Sequence, residues 1–98
     1  MEKLNPLHSF IQLANIDNRL LPSHISLFLA LYWLWQKVSF QSPFYVFRKD
    51  VMPYAKISSI VTYHKCIKEL SNFGYIIYQP SYNCYQGSEI IFQNPKVH

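Results

Sequence analysis

Ninety-eight residues suffice for one domain and leave no room for a second. Half of them are hydrophobic and 17% are aromatic, which supports a buried core and excludes a disordered chain, while charged residues reach only 14%. The formal net charge of +4 suits a polyanionic partner, and two cysteines are too few for a disulfide scaffold.

Residues 4–16 (LNPLHSFIQLANI) form a first short helix, with Leu7, Phe10, Ile11 and Ala14 at i, i+3, i+4, i+7 on one face. A connection over 17–23 follows, in which Ser23 after Pro22 is the expected N-cap of the next helix. That helix, 24–39, is apolar nearly all round, as expected of one buried on several sides. Its apolar run 27–35 (LFLALYWLW) is too short to span a bilayer, which takes roughly 20 residues. No membrane contact is expected. No basic, apolar and small-residue pattern opens the chain, so no signal peptide is read and the cytoplasm is the expected location.

Ser42-Pro43 breaks the helical pattern, and 44–47 (FYVF) is a short β-prone run. A brief helix over 48–54 follows, with Val51, Met52 and Ala55 as its apolar contacts; Pro53 falls either in its first turn or at an early end. Residues 56–58 are a tight connection, and Ser58 or Ser59 can cap the next helix. In that helix, 59–73, Tyr63, Cys66, Ile67, Leu70 and Phe73 make one buried stripe. Its other face carries Ser59, Thr62, His64, Lys65, Lys68, Glu69 and Asn72. Gly74 stops it. Two strand-like runs, 75–79 (YIIYQ) and 88–92 (SEIIF), joined by the turn-rich 80–87, predict a hairpin.

Positive charge gathers in the second half. Arg48, Lys49, Lys56, Lys65 and Lys68 face only Asp50 and Glu69 between positions 44 and 72, whereas the first 36 residues are neutral. Catalytic inventory is thin by contrast. Glu2, Asp17, Asp50 and Glu69 form no pair by sequence, and with only Gly74 and Gly87 there is no phosphate loop, so no enzyme is expected. His64 and Cys66 point about 200° apart on a helix, and His8, His24 and His98 lack partners at ligand spacing. Neither a metal nor a cofactor is expected.

Long helix, short strand, short helix, tight turn, amphipathic helix and hairpin is the element order of a winged helix-turn-helix domain. The fold expected is therefore mainly α with a small β-hairpin. Residues 1–20 would be an N-terminal helical extension, 21–92 the core and 93–98 a tail. The stretch 58–76 (SSIVTYHKCIKELSNFGYI), read with the hairpin, resembles the recognition-helix region of small winged-helix regulators and replication initiators of Bacteroidetes-type bacteria and their mobile elements. That resemblance implies double-stranded DNA as the partner. It places Ser59, Thr62 and Lys65 toward the major groove, Ser58 at a cap or phosphate, and Lys68 at a phosphate one turn later. Arg48, Lys49 and Lys56 take the backbone contacts of the preceding helix and turn, and Tyr82, Asn83, Tyr85 and Gln86 form the wing tip.

The wing departs from the family pattern, since 80–87 holds no Arg or Lys. Tyr82 and Tyr85 then serve either hairpin packing or contact, and Lys65 and Lys68 are either contacts or a solvated face. Two functions follow. One is DNA binding in transcriptional control or mobile-element replication and transfer, helped by a homodimer through 24–39. The other is a protein-interaction module that no longer uses nucleic acid.

Overall fold

The computed structural model describes residues 5–81 and 85–93. It is an α+β fold of four helices and one three-stranded antiparallel sheet: α1 (Pro6–Ala14), α2 (Pro22–Lys37), β1 (Phe44–Val46), α3 (Arg48–Ala55), α4 (Ile60–Asn72), β2 (Ile76–Gln79) and β3 (Ser88–Phe92). No helix among the described residues is long and apolar enough to cross a membrane.

α1 is shorter than its apolar spacing suggests. The Asn5 side chain accepts the Leu7 N–H and Pro6 opens the helix, so it begins two residues later than the pattern. Ile11 is exposed rather than buried, because α1 meets α2 along Leu7, Phe10 and Leu13. Phe10 belongs to the same core cluster as the rest of the chain and stacks on Phe28 with ring centroids 3.9 Å apart.

α2 runs through the middle of that core. Leu27, Phe28, Ala30 and Leu31 are buried, whereas Leu29 and Trp33 face outward. Its N-terminus differs from the expected cap. Pro22 is the first helical residue, Leu21 holds the cap position, and His24 Nδ1 accepts the Leu21 N–H (2.8 Å) in place of a capping side chain. Ser23, one residue inside the helix, instead receives the Cys66 thiol at 3.3 Å.

α3 and α4 end on the same device. Beyond α4 the Tyr75 N–H bonds Leu70 O and the Gly74 N–H bonds Ser71 O, with Gly74 at φ +92°. Beyond α3 the Ile57 N–H bonds Met52 O and the Lys56 N–H bonds Pro53 O, with Lys56 in the left-handed region at φ +59°. Pro53 lies inside α3, past its first turn and short of its end, contrary to both placements expected from the sequence, and it leaves the Lys49 carbonyl without a helical donor.

The 44–46 run is more than an isolated extended segment. It pairs with β3 (Phe44↔Ile90, Val46↔Ser88), giving the strand order β1-β3-β2. Phe44, Val46, Ile76 and Ile90 close the core, and Phe92 joins the aromatic cluster of Phe28, Trp35 and Phe44. Gly87, at φ +81°, lets the hairpin reach β1: a Cβ there would stand 2.7 Å from Val46 O.

The loop between α1 and α2 is tied to the residue just before β2 by a charged network. The Asp17 carboxylate accepts two hydrogen bonds from the Arg19 guanidinium (2.9 and 2.8 Å) and one from the buried Tyr75 hydroxyl (2.7 Å). Arg19 also lies over the Phe73 ring, 4.2 Å from its centroid. These bonds, Arg19's foremost, hold the Asp17 carboxyl well below the usual carboxylate range even though burial pushes the other way. A depressed carboxylate stabilises the fold at pH above its unfolded value, near 3.9, and loses that contribution as pH falls through the folded value. Asp17→Asn should therefore cost about 1 kcal/mol at pH 7. Thermal melts should show the gap between variant and wild type narrowing steadily as pH falls below about 4; a gap as large at pH 2 as at pH 7 would contradict this origin.

Candidate functional site

α4 separates its two faces cleanly. At about 100° per residue, Tyr63, Cys66, Ile67 and Leu70 point inward, and all four are buried. Directly opposite lies an exposed stripe of Val61, Lys65, Lys68 and Asn72, at i, i+4, i+7 and i+11. Ser59 is the N-cap and its hydroxyl accepts the Thr62 N–H at 3.2 Å. Ser58 lies exposed just before it. Thr62 flanks the stripe on one side and the half-buried His64 on the other. The first turn carries no acidic residue, so nothing neutralises the positive end of the helix dipole.

The five basic residues do not form one cluster. Arg48 and Lys49 open α3 and line a cleft of about 670 Å³ bounded by α4 and the turn end of the hairpin. Tyr63, His64, Tyr78 and Tyr85 line it with them. Lys56 sits at the other end of the eight-residue α3, about 12 Å along its axis. Lys65 and Lys68 stand apart on the outer stripe. Cations at the first two positions of a helix work against its dipole. Asp50 in the same turn offsets one of them, and the cap Phe47 makes no side-chain hydrogen bond.

Of the four residues expected at a wing tip, Tyr85 and Gln86 are exposed at the hairpin turn. Tyr82 and Asn83 lie outside the described residues. His64 was expected only on the outer face of the helix, since its place in the cleft depends on the hairpin, and Val61, 78% exposed, was not singled out from the sequence because it is apolar. The helical spacing alone could have found Val61, because it falls opposite the core stripe.

One cluster contradicts the expectation that His24 stands alone. The fold brings it to Cys66 and Glu69, with their ligand atoms all within 4.8 Å of one another. The hydrogen bonds decide what it is. His24 Nδ1 accepts from Leu21, so the ring proton sits on Nε2 and is donated to Glu69 Oε1 (2.9 Å). A metal on Nε2 would force that proton to Nδ1, against the Leu21 N–H, whereas a ligating histidine donates through its other nitrogen. The cluster is a polar tie between the start of α2 and α4. Adding Zn²⁺ or EDTA should leave the melting temperature unchanged within about 1 °C; a site filled at a hundred times its Kd would add about 2.7 kcal/mol and raise it by about 10 °C or more.

Comparison with known proteins finds no matching family model, no matching curated protein and no matching solved structure.

Proposed function

We propose that this chain is a winged helix-turn-helix protein that binds double-stranded DNA, in transcriptional control or in the replication and transfer of a mobile element. The observation that carries this reading is the α3–turn–α4 pair, with the Lys65/Lys68 stripe turned away from the core and the β2–β3 hairpin beside it. A helix so mounted can enter the major groove while its neighbour meets the backbone. In this arrangement Ser59, Thr62 and Lys65 face base edges, Ser58 and Lys68 meet phosphates, and the Arg48/Lys49 cleft takes the strand passing between α4 and the hairpin. Lys56 reaches the backbone from the turn, and Tyr85 and Gln86 extend the contact from the wing. The role is binding alone, without catalysis or cofactor.

Fluorescence polarisation against genomic and random duplexes at low salt tests it, with wild type beside the double variant Thr62→Ala/Lys65→Ala. The variant should bind at least tenfold more weakly, since each good base contact is worth about 1–3 kcal/mol. If wild type retains no duplex, the reading is wrong.

A protein-binding role is favoured by one separate feature. Leu29, Trp33 (47% exposed) and Tyr54 (50% exposed) leave an apolar surface over α2 and α3, with Lys37 Nζ 5.7 Å from both rings. In the DNA-binding reading this surface joins two copies of the chain through α2, so that the pair addresses two half-sites.

A further inference from the structure

We propose that Val61 reads sequence by seating its side chain against the 5-methyl group of thymine in the major groove, so that the preferred sites carry a thymine at a fixed step from the α4 N-terminus. The inference rests on the duplex-binding reading above and adds to it the chemistry of the base recognised. Val61 is 78% exposed in the first turn of α4, and Ile60 beside it is exposed as well. Local stability gives no reason for either residue. β-Branched side chains are weaker helix formers than alanine, and the positive end of a helix favours Asp or Glu. The core gains nothing from Val61 either, because it lies on the opposite side of the helix from Tyr63, Cys66, Ile67 and Leu70.

Its neighbours supply the rest of a groove contact. Lys65 and Lys68 follow Val61 on the same stripe, one and two turns further along, so the apolar tip leads and the cations trail. In helix-turn-helix docking the N-terminal residues of the second helix approach base edges, and its later residues meet the backbone. Thymine alone presents a methyl group in that groove, and small apolar side chains recognise it by contact. Val61 is rigid at χ1. It therefore offers a fixed surface of the right size, and seating it costs little side-chain entropy.

The test begins with selection of preferred duplexes from a random pool by the full-length chain at low salt. Each thymine of the selected site is then replaced in turn by deoxyuridine, which removes only the methyl group. Wild type should lose about three- to fivefold in affinity at one or two positions, the worth of one buried methyl. Val61→Ala should bind thymine and uracil forms alike, at the level of wild type on uracil. The substitution lies on the surface and favours the helix, and an unchanged melting temperature checks that it folds. If wild type binds both forms equally at every position, or if Val61→Ala keeps the discrimination, the assignment of Val61 is overturned while DNA binding stands. If no duplex is enriched at all, both fall together.

Discussion

Replacing Phe28 by alanine should lower the melting temperature by about 15–30 °C. Phe28 is fully buried, stacks on Phe10 and meets Phe92 edge-on at 5.0 Å. Truncating such a ring costs about 3–5 kcal/mol, from lost burial and from the cavity left behind. A domain of this size loses about 4–8 °C per kcal/mol. Collapse around the cavity is limited because the ring bridges three elements: α1 through Phe10, α2 itself, and β3 through Phe92. Leu29→Ala, one residue along, is the contrast. Leu29 is exposed, so its truncation should stay within about 0.5 kcal/mol. Comparable losses at the two positions in denaturant melts would show that α2 is not oriented as described.

That contrast marks what periodicity can and cannot resolve. α4 was legible because its stripe repeats over three turns and Gly74 follows where a left-handed residue is needed. α2 was legible as a buried helix, but an apolar surface all round does not say that Phe28 points in and Leu29 out. In α1 the apolar spacing selected Ile11, while the crossing with α2 buries the face centred on Phe10. Lys56 escaped notice as a helix terminator because glycine usually holds that conformation.

The candidate site was legible in part for the same reason. Lys65 and Lys68 share a face by local spacing, so their placement needs no tertiary information. His24 and Glu69 are 45 residues apart and meet only once α2 has packed on α4. The Arg48/Lys49 cleft likewise exists only after the hairpin folds back beside α3, which depends on β1 pairing with β3 and on the room at Gly87.

Salt should act on the proposed DNA complex far more strongly than any single substitution. If Arg48, Lys49, Lys56 and Lys68 meet phosphates, log K should fall with log salt at a slope of about −3.6. Between 50 and 200 mM salt that amounts to about a 150-fold loss of affinity. The division of the basic residues makes the prediction sharper. Arg48→Ala/Lys49→Ala removes the pair in the cleft and should reduce the slope by about 1.8. Lys56→Ala, at the far end of α3, should reduce it by about 0.9. Lys37→Ala should leave it unchanged, because Lys37 stands beside Trp33 and Tyr54 rather than on the α4 stripe or in the cleft. Titrations by polarisation at four salt concentrations give all four slopes. A wild-type slope near zero would remove phosphate contact from the function and leave the apolar surface of α2 as the binding face. A slope lost with Lys37 instead would put the duplex on the wrong side of the molecule.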